Sequence, residues 1–125
     1  MRVLVTGSRD FSDEAKVNAA LDEVYGQWDG KDGGDFVVVH GDARGADTLA
    51  DRWAKATHEI DVRVHPEARP ADWDQYGKLA GNVRNQEMVN LGADICLAFP
   101  LFGSRGTRDC MKRAKAAGIE VRDCS

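Results

Sequence analysis

Short β-branched runs alternate with longer stretches of helical period along this chain. Val3-Leu4-Val5, Phe36-Val37-Val38-Val39, Val62-Arg63-Val64, Ile95-Cys96-Leu97-Ala98-Phe99 and Ile119-Glu120-Val121 read as five strands. The second and fourth are nearly continuous apolar runs, the pattern of central parallel strands covered on both faces. Between the strands, Val17, Ala20, Leu21, Val24 and Trp28 recur at i, i+3, i+4, i+7 and i+11. They mark one face of a helix opened by Ser12, with Asp13 and Glu14 in its first turn. Ala46, Leu49, Ala50, Trp53 and Ala54 form a second stripe. A third helix is expected over about residues 81–91 and a fourth over about 107–117, closed by Gly118 at a C′ position. Strict alternation of strand and helix predicts an α/β domain with a mainly parallel sheet. Two stretches fall outside this scheme. Residues 30–35 read as a polar surface loop, and residues 66–78 as a long connector carrying Trp73 and Tyr76.

Length and charge narrow the classes of function. A chain of 125 residues suits one domain, residues 1–125, with a core of its own. Its 17 basic and 21 acidic side chains give a net charge of −4, so there is no general excess of positive charge to grip nucleic acid or anionic lipid. No apolar run approaches the roughly 20 residues that cross a bilayer, and the opening Met1-Arg2-Val3-Leu4-Val5-Thr6-Gly7 does not read as a signal peptide. Cys96, Cys110 and Cys124 are odd in number and lack C-x-x-C spacing. That excludes a disulfide scaffold or cysteine zinc site and points to a reduced, cytoplasmic protein with Cys96 as a small buried residue. His40, His58 and His65 are scattered and make no metal-ligand spacing; His40 and His65 both follow strands within reach of a crevice at the sheet edge, but a structural role is the favoured reading for each. No metal or resident cofactor is expected.

Glycine changes the picture. There are 13 in the chain, above the usual share of about 7%, and their positions matter more than their number. Open parallel sheets bind ligands beyond the carboxyl ends of their strands. There the sequence places Gly7-Ser8-Arg9-Asp10, then His40-Gly41-Asp42-Ala43-Arg44-Gly45-Ala46-Asp47, then Gly103-Ser104-Arg105-Gly106-Thr107. Gly45-Ala46 and Gly106-Thr107 open helices, whose free N–H groups make them candidate seats for phosphate or carboxylate. Arg9, Arg84 and Arg105 are candidates for bidentate phosphate contacts. Asp42 or Asp47 is a candidate acceptor for sugar hydroxyls. Together these predict a site for a nucleotide or a similar phosphorylated sugar. Tight strand-to-helix turns also need glycine without binding anything, so packing is the competing explanation for each glycine taken singly. Neither G-x-x-x-x-G-K-[ST] nor G-x-G-x-x-G is present. Trp53 is assigned to the core and Trp28 to closing the first helix against the sheet. Trp73 and Tyr76 either cap the third helix or offer a ring for a ligand base. Asp72 and Asp74 read as solvated or capping.

Several of these segments, in order along nearly the whole chain, carry a family resemblance. Val5-Thr6-Gly7-Ser8-Arg9-Asp10-Phe11, the run from His40 to Asp47, Ala71-Asp72-Trp73, Tyr76-Gly77, Ala80-Gly81, Arg84-Asn85 with Met88, Ala93-Asp94 and Gly106-Thr107 together resemble the YspA-type, cpYpsA-related branch of the SLOG superfamily. The resemblance implies a Rossmann-like three-layer sandwich with a five-stranded sheet. It also implies binding, as a sensor or by sequestration, of a nucleotide or nucleotide-derived small molecule, and it adds Asn85 beside Arg84 to the site. Superfamily relatives imply self-association, as a homodimer or higher.

The same superfamily contains Lonely Guy-type phosphoribohydrolases, whose signature is an arginine and a methionine followed by P-G-G-x-G-T-x-x-E. Arg84 and Met88 resemble the first part; Pro100, Gly103, Gly106 and Thr107 resemble the second, with Leu101 and Phe102 interposed. The glutamate position falls on Cys110, and Asp109 would point about 100° away around the helix. Hydrolysis is therefore the alternative function, and it would need Asp10, Asp42, Asp47 or Asp109 as acid or base. A DNA-handling role, as in the related DprA proteins, is a second alternative. It would use the basic last helix (Arg105, Arg108, Lys112, Arg113, Lys115), and the acidic total charge argues against it.

Overall fold

Strand β1 (Arg2–Gly7) is paired on both sides, with β2 (Phe36–His40) and with β4 (Ile95–Phe99), and both pairings are parallel. A computed structural model of the chain describes residues 1–30 and 32–125. Beyond β2 lies β3 (Val64–Ala68), and beyond β4 lies β5 (Glu120–Asp123), giving the order β3-β2-β1-β4-β5 with every pairing parallel. The helices are α1 (Glu14–Gln27), α2 (Ala46–His58), the single turn α3 (Trp73–Tyr76), α4 (Ala80–Asn90) and α5 (Arg105–Ala116). This is the Rossmann-like α/β fold that the sequence predicts.

The two-residue period of the strands divides the core into two layers. Val3 and Val5 face α1 and α2, where Val17, Leu21, Val24, Ala50 and Trp53 cover them together with Phe36, Val38, Leu97 and Phe99. Leu4 points the other way, with Val39 and Cys96, against Met88 and Val89 of α4 and Cys110 and Ala114 of α5. Trp53 is core, and its indole N–H donates to Asp22 at 2.8 Å. Trp28 closes α1 against the sheet, its ring 5.4 Å from that of Phe36.

Four boundaries differ from the sequence reading, each for a local reason. The cap of α1 is Asp13, whose carboxylate accepts the Lys16 N–H at 3.2 Å; Ser12 lies outside the helix. The third strand lies at Val64–Ala68 rather than at 62–64, and Val62 is exposed. Pro66 is tolerated there because β3 is an edge strand, where a missing donor breaks no second ladder. The last strand lies one residue later than the apolar pair suggested, and α5 starts at Arg105, two residues early. Within the 66–78 connector, Asp72 caps α3 by accepting the Gln75 N–H at 3.0 Å. Of the 30–35 loop, Lys31 lies outside the described residues.

The end of β1 and the start of α2 are in direct contact. A Cβ on Gly7 would collide with Cβ of Ala46 and press on Phe99. Gly45, at φ +83°, has the Ser8 carbonyl and the Arg9 backbone where its own Cβ would stand. The Ala46 N–H donates to that Ser8 carbonyl at 3.3 Å, and the Ser8 N–H donates to Phe99 at 3.1 Å. Gly45→Ala combines a left-handed backbone with a backbone clash, so it is expected to cost about 3 kcal/mol. Gly92→Ala, at φ +84° but in open space, is expected to cost about 1 kcal/mol. Urea denaturation of the two variants beside the wild type checks the difference.

Candidate functional site

The strand order reverses between β1 and β4, and parallel sheets open a crevice at such a point. A cleft of about 280 Å³ lies there, beyond the carboxyl ends of these two strands. Among the sequence candidates, Gly7, Ser8 and Arg9 line it from the end of β1, and Asp47 from the first turn of α2. Arg84 and Asn85 of α4 line the opposite side, and Ser104, Gly106 and Thr107 line it from the start of α5. Arg105 and Met88 also line it.

The other candidates lie elsewhere. Gly41 and Asp42 line an adjoining hollow that shares Arg9 and Arg84 with the cleft and also holds Trp73. Gly45 lines a shallow groove on the far side of the Arg9 loop, and Gly103 lines neither the cleft nor that hollow. The glycines thus do different work. Above Gly7 and Gly45 the space is filled by the protein itself, and above Gly41 by the Arg84 guanidinium; Gly106 faces open space. Thr6, buried in the floor of the cleft, is a lining residue that the sequence reading missed. Its only signal was its place ahead of Gly7 at a strand end.

The loop between β2 and α2 is held from within. His40 is buried and its Nε2 lies 2.8 Å from Asp51. Its Nδ1 accepts the Asp42 N–H at 3.0 Å, so the Nε2 that faces Asp51 carries a proton. Asp42 itself sits at φ +57°, turning the chain. Asp47 reaches back from α2, and one of its oxygens, Oδ2, accepts the Gly41 N–H at 3.1 Å and the Ala43 N–H at 3.3 Å.

The other oxygen, Oδ1, has no hydrogen-bond partner among the described residues, although Asp47 is only 5% exposed. Burial pushes the Asp47 carboxyl up to about 6, against the lowering pull of His40, the Ala43 N–H and Arg84. On the facing helix, Arg84 donates through Nη1 to the Gly41 carbonyl and through Nε to Asn85 at 3.1 Å. Asn85 in turn donates to the Gly106 carbonyl at 3.1 Å and to Asp109 at 3.0 Å. Asp109 also accepts from Arg113 at 2.8 Å, so its carboxylate braces α4 against α5.

At the head of α5 no side chain caps the first turn. The Ser104 hydroxyl lies 2.7 Å from that of Thr107. Arg9, Arg84 and Arg105 make no ion pair with a carboxylate among the described residues, whereas Arg44, just outside, pairs with Asp10 at 3.5 Å. Arg9 instead lies over Trp73, 5.8 Å from the ring centre. Cys110, at the position where the phosphoribohydrolases carry glutamate, is fully buried beneath the cleft with Cys96. Contact with the Cys110 thiol and burial push the Cys96 thiol up.

The Asp47 carboxyl links stability to pH. An unfolded aspartate titrates near pH 4 and the folded one near 6, so in that interval the folded state holds the extra proton. The stability this contributes is complete below about pH 4 and is lost as pH rises through about 6. Asp47→Asn cannot ionise and is therefore expected to exceed the wild type in stability by about 1–3 kcal/mol above pH 7. The advantage should shrink towards zero near pH 4. Urea titrations at pH 4.5 and 7.5 measure it.

Part of this site lies within a stretch that matches a known family. The profile of the YspA, cpYpsA-related SLOG family (YAcAr) matches residues 1–76, which include the β1 end, the loop before α2, Asp47 and Trp73. The Gene 61 protein of Mycobacterium phage D29 is 52% identical over 121 residues, which is 96% of this chain and 93% of that protein. No solved structure matches. The chain belongs to the YspA, cpYpsA-related SLOG family.

Proposed function

We propose that the cleft over β1 and β4 binds a nucleotide or nucleotide-derived small molecule, for sensing or sequestration. One observation carries the reading. A buried carboxylate with one oxygen unpaired and three arginines without carboxylate partners, both among the described residues, line one cleft with an uncapped helix start at the point where the strand order reverses. In a chain of net charge −4, cations left without carboxylates at one place are an electrostatic seat for an anion. The first-turn N–H groups of α5 add fixed donors of the same sign. Membership of the SLOG family supports a nucleotide-related ligand. Binding is favoured over the phosphoribohydrolase route because Cys110, buried and apolar in its surroundings, occupies the position of that route's glutamate.

A panel of nucleoside monophosphates, NAD, ADP-ribose and cyclic nucleotides tests this by thermal shift. A ligand at a hundred times its dissociation constant stabilises the fold by about 2.7 kcal/mol, a rise in Tm of several degrees. Arg105 is exposed and its side chain makes no hydrogen bond or ion pair among the described residues, so Arg105→Ala should leave the unliganded Tm unchanged. It should weaken binding about tenfold. No shift with any member of the panel would overturn the proposal.

A further inference from the structure

Resting on that reading, we infer that Asp47 selects the ligand by accepting a hydrogen bond from a ribose hydroxyl, with the ligand's phosphate at the start of α5 and its base in the adjoining hollow against Trp73. Asp47 Oδ1 is an acceptor without a donor among the described residues, and it belongs to a carboxylate that is otherwise anchored, buried and lining the cleft. Buried polar atoms in folded proteins are paired almost without exception, so an orphaned oxygen on a carboxylate that lines a cleft marks where a partner belongs. That partner must be a donor. A phosphate offers only acceptors and negative charge, so it is excluded from this end of the cleft and directed to the other. There the Ser104 hydroxyl lies against that of Thr107, and the N–H groups of Gly106 and Thr107 fall in an uncapped first turn.

Size divides the ligand further. The cleft, at about 280 Å³, falls just below the roughly 300–1,000 Å³ of pockets that enclose whole drug-sized molecules. It suits a sugar phosphate rather than an entire nucleotide. The adjoining hollow, about 400 Å³, shares Arg9, Ala43 and Arg84 with the cleft, so a ligand can run from one into the other. Its wall carries Trp73, half-exposed and already under the Arg9 guanidinium, which suits a flat heterocycle. The class that meets all three demands is a ribonucleoside 5′-monophosphate.

Calorimetric titration of the full chain at pH 7.5 tests this. The probes are the four ribonucleoside 5′-monophosphates, their 2′-deoxy and 3′-deoxy counterparts, and ribose 5-phosphate. At least one ribonucleotide should bind, and loss of the hydroxyl that Asp47 holds should weaken it about tenfold to a hundredfold. Asp47→Asn, which keeps an oxygen for the Gly41 and Ala43 N–H groups, should weaken the ribonucleotide at least tenfold. It should leave the weaker deoxy form within threefold. Trp73→Ala should weaken the nucleotide about tenfold and leave ribose 5-phosphate unchanged. If ribo and both deoxy forms bind alike and Asp47→Asn alters neither, the role of Asp47 is overturned while the cleft remains a nucleotide site. If no phosphorylated probe binds, this inference falls, and it falls together with the proposed function when the wider panel also produces no shift.

Discussion

The close approach of α2 to the end of β1 is the constraint on which the site depends. Gly7 has no Cβ, so Ala46 can sit directly against it, and Gly45 lets the Ser8 and Arg9 backbone occupy the space beside it. With that approach, the first turn of α2 lies over the strand end, and Asp47, the second residue of the helix, lines the cleft. A bulkier residue at either glycine would move α2 outward, and the carboxylate would leave the cleft with it. The Ala46-to-Ser8 hydrogen bond then ties the helix start to the β1 loop, and the Ser8-to-Phe99 bond ties that loop to β4. Three strand ends thus become one rigid rim.

What the rim holds is costly to the fold. A carboxylate that is 5% exposed and has one oxygen without a partner loses hydration for which only half its lone pairs are compensated. The raised carboxyl, at about 6, expresses the same cost in protons. Position in the first turn of α2 offsets part of it, because the helix N-terminus favours negative charge. The two loop N–H groups offset more, and they also explain why an amide would serve the loop nearly as well as the acid. The loop needs an acceptor there; it does not need a charge. The charge is therefore the part of Asp47 that the fold leaves unexplained and that a ligand can use.

Much of this was legible in the sequence, and what was not has definite causes. The central strands β2 and β4 showed as unbroken apolar runs because both faces are covered, and the α2 stripe showed because one side of that helix is wet. β3 was misplaced because an edge strand needs no apolar run: His65 and Glu67 are only half-buried, and Pro66 is tolerated. Ser12 and Asp13 are both good caps, and only backbone geometry decides between them. The sheet edge where the glycines gather was readable from alternation alone. Which of those glycines face open space and which face protein was not, because that depends on neighbours distant in sequence, such as Arg84 above Gly41. Asp51, the partner of His40, gave no signal, since an aspartate on a helix normally faces water.

The buried thiol of Cys110 has a structural counterpart on the far side of the cleft. With a thiol at that position, the face of α5 beneath the cleft is packed against Cys96 and Leu4 and carries no charge. The neighbouring Asp109 is turned outward, where Asn85 and Arg113 occupy it. The carboxylate that remains in the cleft comes instead from α2, and Arg84 is held between the two sides by its bonds to the Gly41 carbonyl and Asn85. Negative charge therefore lies on the β2 side and fixed positive potential on the α5 side. On the proposed reading, a ligand that spans them is polar in the same sense, with donors at one end and an anion at the other. That polarity depends on which element supplies the carboxylate, so two proteins sharing the glycine pattern around such a cleft can orient the same kind of ligand differently.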